Sequence, residues 1–495
     1  MSHTFRIVPR DGTVRPPEPI PNDAPDKQPR SYWIHEDSAI SVSEEECCSK
    51  RHWLWGCGVA VFFVILIATL VGVLGSRAAH YTENHANVTL PTQTHIPDTQ
   101  GNSKDGNIAT QILVHPKSPL AATSISNAII DFKALVFHDA DFDLIVIEWH
   151  GNDADVYKLK SRMRDDEPPR PLEGTSIRLV TYGPSDDLHL FYIDEDHRIV
   201  HLVQAFKMQD KQKENPWRRQ KFVTKGNQDG QVVSGLRLTT VSFPRLDYKS
   251  FPPELAVLYQ VAGDNSSLTL ATSSDPVGID RWTTSSFKLK AIGSTANLTT
   301  DSRQLVVMPL NGTISGGPAR ALRVLWDEPT NRDQDPFGMM ECFIGQSEKI
   351  MKDCFPMTEW KDASARKQLA AANPIQLIEP PVHSYEPMNV DKFVLPVLDT
   401  KGKLSELYWD GAAWSDQKAF SVEGSAPAIV KSPFTSVSIT ENSTLFAVAD
   451  GRLLEFMRLG KRWEGSHGIK PDWLFLGILN MTYHEHKGRM TFYRG

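Results

Sequence analysis

Cysteine is scarce in this chain of 495 residues, which contains five in all. Cys47, Cys48 and Cys57 lie beside or inside one apolar run, and Cys342 and Cys354 are the only pair elsewhere. This number excludes a small scaffold held together mainly by disulfides. We expect one disulfide, between Cys342 and Cys354, if that region faces an oxidising compartment.

An excess of positive charge is also lacking. The chain has 53 Lys and Arg residues against 60 Asp and Glu, for a formal net charge of -7. A mildly acidic chain of this kind gives no indication of nucleic-acid binding. We therefore expect no nucleic-acid partner.

The usual catalytic and cofactor-binding motifs are absent as well. No Gly-x-Ser-x-Gly, phosphate-binding loop or dinucleotide fingerprint occurs in a suitable context. His484 and His486 would share one strand face, but the sequence offers no third metal ligand near them. The acidic clusters at 138–143 and 194–198 lack the alternating oxygen ligands of a calcium loop and predict turns instead. We expect no cofactor and no metal.

One long apolar run is present, at residues 53–75, and its 23 residues carry no charge. A run of about 20 apolar residues suffices to cross a bilayer as a helix, which satisfies its own backbone polar groups. Lys50 and Arg51 precede it, which favours a cytoplasmic N-terminal side. A buried core helix and a cleaved signal peptide are weaker alternatives, because the run is long and begins far from Met1.

Potential N-glycosylation sites fit the same orientation. Six Asn-x-Ser/Thr motifs all follow the apolar run: Asn87, Asn265, Asn297, Asn311, Asn442 and Asn480. Such motifs are modified on the lumenal side of the secretory membrane. The sequence thus predicts a single-pass type II membrane protein, with a signal-anchor and an outer domain that is extracellular or in the secretory lumen.

Composition divides the rest of the chain. Residues 1–52 are rich in proline and charge without apolar periodicity, which predicts a disordered cytoplasmic tail. Residues 76–122 are polar and rich in Thr, Asn, Gly and Pro, which predicts a flexible stalk. From residue 123 to 495, short alternating apolar runs are separated by turn residues, which is typical of an all-β domain.

A repeated unit occurs within residues 123–495. It consists of an apolar strand, a polar turn, a second apolar strand and then a tryptophan, and further alternating runs lie between the units. The tryptophans that end units two to six are Trp217, Trp282, Trp360, Trp414 and Trp463. About four strands per unit and six units predict a six-bladed β-propeller, in which radial repetition protects sheet edges. Stacked two-sheet sandwiches are the alternative.

The last two apolar runs, at 473–480 and 489–495, follow the sixth unit. We expect them to pair with strands near Ile125 to Val136 and so to close the ring. Domain closure by terminal strands removes the exposed edges that a propeller would otherwise retain.

The final units resemble those of the fungal fucose-specific lectins, six-bladed propellers of the orange-peel-mushroom type. The segment LSELYWDGAAW at 404–414 is the best match, and LLEFMRLGKRW at 453–463 keeps the Glu and the Trp. In that family, Arg and Glu of one blade bind sugar hydroxyls, and an aromatic residue of the next blade stacks on the sugar. Charged bonds to vicinal hydroxyls and an aromatic face suit this chemistry.

The resemblance implies candidate carbohydrate-binding residues in two blades. Arg323 and Glu341 of the fourth unit, with Trp414 of the next, would form the complete set. Glu406 of the fifth unit, with Trp463, lacks the arginine, because Val394 stands in its place. The alternative is structural: the tryptophans pack between blades, and Arg323 and Glu341 form an ordinary cross-strand pair.

Three functions follow from this reading. The first is a lectin-like binding module, with fucosylated or other glycans as partners. The second is a degenerate propeller that serves as a protein-interaction scaffold, since most units lack the Arg–Glu pair. The third is a propeller glycosidase, which would need two carboxylates about 5–10 Å apart in one cleft. No acid pair stands in a recognised catalytic motif, so we do not expect an enzyme.

Overall fold

In the computed structural model, the chain divides into two compact units, residues 1–101 and 102–495. The structure describes residues of the second unit only: 109–126, 131–151, 153–164, 167–183, 186–205, 216–222, 233–243, 254–262, 267–277, 282–288, 305–314, 317–327, 337–344, 351–356, 363–371, 375–378, 393–409, 413–423, 427–459, 473–484 and 489–495. Within these ranges, no helix has the length and apolar character needed to cross a membrane. The predicted tail and the predicted membrane segment 53–75 lie outside them, as does most of the predicted stalk.

The described residues form an all-β domain of six antiparallel sheets, each built mainly from strands that are consecutive in the chain. Blade 1 contains β2 (Ala121–Ser126), β3 (Asp131–His138), β4 (Leu144–His150) and β5 (Asp153–Lys158). Blade 2 contains β6 (Arg178–Tyr182), β7 (Asp187–Ile193), β8 (Ile199–Gln204) and β9 (Trp217–Gln220). Blade 3 contains β10 (Val233–Phe243), β11 (Glu254–Val261), β12 (Ser267–Ser273) and β13 (Thr283–Lys288).

Blades 4 and 5 follow the same meander. Blade 4 contains β14 (Leu305–Ile314), β15 (Gly317–Asp327), β16 (Phe337–Ile344) and β17 (Met351–Pro356). Blade 5 contains β18 (Gln376–Leu377), β19 (Phe393–Leu398), β20 (Leu404–Trp409) and β21 (Trp414–Ala419). One α-helix, α1 (Ala363–Ala371), connects them, and short 3-10 helices occur at Leu159–Arg162 and Ala428–Lys431.

Blade 6 is wider than the others. It contains β22 (Phe434–Ile439), β23 (Thr444–Ala449), β24 (Arg452–Arg458) and β25 (Trp473–His484), together with the final strand β26 (Arg489–Arg494) and the first strand β1 (Ala109–Gln111). Both β1 and β26 pair with β25. The prediction that the final strands pair with the chain near Ile125 to Val136 is therefore wrong. Strand β1 has only three residues, so the sequence shows no apolar alternation there. It lies within the segment 76–122 that was predicted as stalk.

Six apolar cores join the blades into a ring, one at each junction between neighbouring sheets. The core at the junction of blades 6 and 1 unites Phe137 and Trp149 with Phe446 and Leu453, which closes the ring. The strands present apolar side chains on both faces, as sheets packed on both sides require. The predicted six-bladed propeller is thereby confirmed.

A five-residue turn recurs between strands. In three hairpins an aspartate side chain accepts hydrogen bonds from the backbone N–H groups two and four residues later: Asp139, Asp194 and Asp399. The fourth turn residue has a positive φ of 59 to 72°: Phe142, His197 and Gly402. Asp side chains commonly bind their own backbone in this way. The prediction that the two acidic clusters form turns is confirmed.

The first strands of blades 1, 2, 3, 5 and 6 line a central cavity of about 100 Å³. Arg178 crosses between blades there, donating to the backbone carbonyls of Leu238 and Leu305 at 3.1 and 2.9 Å. Glu441 accepts hydrogen bonds from Thr123 and Ser124 of blade 1. Blades that are far apart in the chain are thus also joined by polar contacts around this cavity.

Candidate functional site

The repeat tryptophans open the fourth strand of their blades and pack against the preceding blade. Four tryptophans in this position are at most 1% exposed: Trp217, Trp282, Trp414 and Trp473. Their main role is thus core packing, which is the structural alternative given above, that the tryptophans pack between blades. In blade 6 the residue in this position is Trp473, whereas the predicted Trp463 lies outside the described residues.

The predicted pair in blade 4 is formed. Arg323 on β15 stands directly opposite Glu341 on β16. The Arg323 Nε donates to Glu341 Oε1 at 3.0 Å, and Nη2 donates to the same oxygen. The side chain of Arg323 is 5% exposed and that of Glu341 is 21% exposed. The guanidinium is thus buried, while the carboxylate reaches the surface of the junction between blades 4 and 5.

The aromatic residue beside this pair is not the one that the resemblance implied. The guanidinium of Arg323 lies 5.4 Å from the ring centroid of Trp409, on the third strand of blade 5. Trp414 packs against Trp409 and Phe337, with ring centroids 5.2 Å apart in both pairs. Trp409 and Trp414 are both at most 1% exposed, so both rings are enclosed in this core. Of the predicted trio, Arg323 and Glu341 are in contact, and the ring beside Arg323 is that of Trp409 rather than Trp414.

Glu406, the predicted site residue of blade 5, lies in the junction with blade 6. The indole N–H of Trp473 donates to Glu406 Oε1 at 3.1 Å. Arg458 of blade 6 donates to both carboxylate oxygens at 3.4 Å, and its guanidinium lies 5.6 Å from the Trp473 ring. The arginine that blade 5 lacks is therefore supplied by blade 6, across the junction. Spacing within one repeated unit could not predict this partner.

The junction of blades 6 and 1 holds a fully buried carboxylate, Glu455. Lys133 of β3 and Arg494 of β26 bind its two oxygens at 2.5 and 2.6 Å. The Lys133 ammonium also lies 5.0 Å from the Trp149 ring. Two cations from different strands thus compensate the charge that this buried carboxylate carries into the core.

The junction between blades 2 and 3 contains two histidines where the junctions described above contain charged residues. Nδ1 of His189 and Nε2 of His201 are 3.0 Å apart, and the rings of Phe191 and Trp282 contact His201. Burial lowers the pKa of His189 to about 3 and holds the pKa of His201 well below its usual value, with repulsion from His189 adding to the latter. Both rings are consequently neutral at physiological pH.

A polar cluster between blades 1 and 2 was not predicted from the sequence. The Tyr157 hydroxyl donates to Glu148 and accepts from the Trp217 indole N–H at 2.9 Å. Burial, followed by the negative charge of Glu148, raises the pKa of Tyr157 well above its usual value. The available signal was a carboxylate inside the apolar strand LIVIEWH, since such a residue needs a partner when buried.

Four glutamates in these junctions each lie in a different junction: Glu148, Glu341, Glu406 and Glu455. Glu341 lies between blades 4 and 5, and each of the other three occupies a different interface. A glycosidase requires two facing carboxylates. The cross-strand neighbour of Glu148 is Asp155, which is bound to Arg162 at 2.6 Å. At the junction of blades 1 and 2, Glu148 and Asp155 are thus neighbouring carboxylates, and each is bound to a partner of its own, Tyr157 and Arg162.

The remaining predicted residues lie on defined elements or outside the described part. Cys342 is disulfide-bonded, and the strand register sets Cys354 directly opposite it on β17. Asn311 lies on β14, Asn442 in the turn before β23 and Asn480 on β25. Three sequons lie outside the described residues: Asn87, Asn265 and Asn297.

Comparison with known proteins finds similarity at the level of structures. No protein-family profile matches the sequence, and neither does any curated protein. A fucose-specific lectin from Aleuria aurantia is 13% identical, with a TM-score of 0.47, over 74% of this chain and 97% of that chain. A mutant of the Aleuria aurantia lectin in complex with alpha-methyl-L-fucoside is also 13% identical, with a TM-score of 0.45, over 74% and 96%.

A second fungal protein is similar in the same way. AofleA from Arthrobotrys oligospora is 14% identical, with a TM-score of 0.41, over 79% of this chain and 91% of that chain. The Aleuria aurantia lectins are of the type that the repeated unit resembles. At this identity, the similarity concerns the fold alone.

Proposed function

We propose that the propeller binds carbohydrate, and that Arg323 and Glu341 contact the sugar at the junction of blades 4 and 5. The observation that carries this proposal is the geometry of the pair. Arg323 is buried against Trp409 and holds Glu341, whose carboxylate remains partly open to solvent. A carboxylate fixed in this way can accept hydrogen bonds from vicinal hydroxyls without losing much side-chain entropy.

Fucose is the sugar that we propose to test first. The similar structures include a lectin named as fucose-specific and one in complex with alpha-methyl-L-fucoside. The exposed acceptor in our chain is Glu341, so the ligand must present hydroxyl donors to it. Any pyranoside with adjacent free hydroxyls meets this condition, and fucose is one of them.

Replacing Arg323 by Ala should abolish glycan binding at this junction. Without the guanidinium, Glu341 loses its orientation, and a charge-assisted bond of this kind contributes about 1.5–3 kcal/mol, or at least tenfold in affinity. We would screen the full-length protein on a glycan array and titrate the best ligand. Circular dichroism of the variant would establish that it is folded.

The control is Lys117→Ala. Lys117 also pairs with a glutamate, Glu173 at 2.9 Å, but both side chains are more than half exposed and lie outside this junction. Glycan binding should be unchanged in this variant. Equal binding by wild type and Arg323→Ala would contradict the proposed site.

A scaffold that binds other proteins is the second candidate. It is favoured by Glu406 and Glu455, whose carboxylates are occupied by cations of the same chain and are therefore closed to a ligand. At the junction of blades 4 and 5, by contrast, the glutamate bound to an arginine is partly exposed. A folded protein that binds no glycan on the array would favour the scaffold.

For the location of the protein, we propose a type II membrane anchor at residues 53–75 with the propeller on the extracytoplasmic side. The proposal rests on the sequence: an uncharged run of 23 residues with all six sequons after it. We expect the full-length protein, expressed in eukaryotic cells, to pellet with membranes and to migrate faster on gels after enzymatic removal of N-glycans. Asn442→Gln should reduce that shift by one glycan. A soluble protein with no mobility shift would contradict the orientation.

A further inference from the structure

An open cavity of about 430 Å³ lies at the edge of the junction between blades 1 and 2, beside the apolar core that contains Leu144 and Leu159. It is bounded by the β3–β4 turn at Phe142, the 3-10 helix at Leu159–Arg162 and the loop 167–171 that leads into blade 2. Small-molecule sites usually have volumes of roughly 300–1,000 Å³. The cavity is therefore large enough for a ligand of the size of a sugar ring.

Phe142 forms an aromatic wall of this cavity and adopts a backbone conformation that few such residues tolerate. Its φ is 63°, at the turn position that Gly402 occupies with a φ of 72° in blade 5. This region is strained for a bulky residue, and such outliers concentrate at functional sites. The ring of His115 packs against it with centroids 4.1 Å apart, and the Arg170 guanidinium lies 5.9 Å from the Phe142 ring centroid. The chain thus retains an aromatic side chain where glycine would fit more easily.

The floor and one wall of the cavity are rigid and apolar. Leu144, Leu159 and Pro171 at the floor are buried. Pro168 and Pro169 form the wall, and proline restricts the backbone before any ligand binds. This preorganisation reduces the entropy that binding would cost.

The rim carries charges of both signs. Lys160 and Arg170 are exposed cations, and Glu167 is an exposed anion. Asp143 also lines the cavity and accepts from Lys160 at 3.0 Å. Two cations and two anions therefore line the opening, without an excess of either charge. Such a rim favours a neutral ligand with several hydroxyls over an ion.

We propose that this cavity binds a neutral sugar in its pyranose form, with the apolar face of the ring on Phe142 and its hydroxyls toward Lys160, Glu167 and Arg170. The site is separate from the Arg323 junction but rests on carbohydrate as the class of ligand. An aromatic face supplies the contact area, and the charged rim supplies orientation.

The test compares three variants of the full-length protein in titrations with methyl pyranosides of glucose, galactose, mannose and fucose. Phe142→Gly removes the aromatic wall and, because glycine accepts this φ, should fold at least as well as the wild type. His197→Gly makes the matched change at the same turn position in blade 2, where φ is 59° and the residue does not line the cavity. Arg323→Ala removes the junction site instead.

We expect Phe142→Gly to weaken binding of at least one pyranoside by about tenfold, as loss of an aromatic contact implies. His197→Gly and Arg323→Ala should leave that binding unchanged. Equal weakening by Phe142→Gly and His197→Gly would assign the effect to the turn and overturn the proposal. If binding is lost in Arg323→Ala alone, the proposal for the cavity is overturned and the proposal for the junction site is retained. If the protein binds none of the pyranosides, both proposals are overturned.

Discussion

Acidification from about pH 7 to about pH 4 is expected to remove most of the propeller's free energy of unfolding. The cause is a set of buried, neutral histidines: His138, His189 and His201 are at most 1% exposed. Neither ring nitrogen of His138 has a hydrogen-bond partner in the part of the chain that the structure describes. Burial, with a smaller contribution from His115, lowers the pKa of His138 to about 4.

The sign follows from proton uptake. A histidine with a lowered pKa in the folded state binds its proton first in the unfolded state, so acid favours unfolding. The stabilisation is complete above the unfolded value of 6.5 and is lost as the pH falls toward the folded value. His138 and His189 each account for about 3 kcal/mol at pH 4, against a typical total of about 5–15 kcal/mol. His201 acts in the same direction.

Glu441 opposes this effect in part. Burial raises the pKa of Glu441 to about 7, although hydrogen bonds from blade 1 act in the other direction. A carboxyl with a raised pKa takes up its proton first in the folded state, so it stabilises the fold as the pH falls through 7. Its contribution is complete once the pH reaches the unfolded value of 4.5. It therefore offsets part of the loss caused by the three histidines.

Urea unfolding followed by tryptophan fluorescence at several pH values would measure this dependence. His138→Leu should flatten the pH profile by about one proton, because it removes one group that titrates on unfolding. Replacement of the exposed His197 by Leu serves as control and should leave the slope as it is in the wild type. If the free energy of unfolding is the same at neutral and acid pH, the predicted destabilisation by the buried histidines is contradicted.

The second large effect is expected from Glu455→Ala. Glu455 is fully buried, and its removal leaves Lys133 with only 16% of its side chain exposed and no carboxylate beside it. Breaking one half of a buried ion pair costs about 3–5 kcal/mol. Because the residue joins β24 to β3, the loss should appear as a less stable ring closure. Chemical denaturation would measure the change in the midpoint of unfolding.

Two further variants make this prediction specific. Glu173→Ala removes a carboxylate whose partner, Lys117, is 2.9 Å away, but both side chains are more than half exposed. It should shift the midpoint of unfolding far less than Glu455→Ala does, because solvent screens an exposed pair. Adding Lys133→Met to Glu455→Ala should restore much of the lost stability, because no buried charge then remains unpaired. Similar costs for Glu455→Ala and Glu173→Ala would contradict a buried ion pair at this junction.

Much of the fold could be predicted because its signals are local. Alternating apolar runs such as LHLFYI and turn residues such as DEDHR specify strands and hairpins directly. The ring closure was predicted wrongly, because β1 contains three residues and its pairing with β25 joins the two ends of the domain. Neither its length nor its composition distinguishes β1 from a polar linker.

The candidate site was predictable only where its members share one sheet. Arg323 and Glu341 are cross-strand neighbours, and spacing within a hairpin fixes that relationship. The partners that cross a junction, such as Arg458 for Glu406 and Trp409 for Arg323, depend on how blades pack. Trp473 was overlooked for a related reason, since residues 460–472 separate it from the strand that it pairs with.

The attachment of β1 and β26 to one strand, β25, also has a consequence for synthesis of the protein. Strands β22 to β26 follow the other five blades in the chain, so the surface of blade 1 around Lys133 and Trp149 has no partner until blade 6 has been synthesised. Contacts between distant parts of a chain form slowly, and unpaired apolar surfaces aggregate in the meantime. The nascent propeller therefore passes through a long period in which blades 1 to 5 can stack while the ring is open, and this is the stage at which a chaperone would protect it.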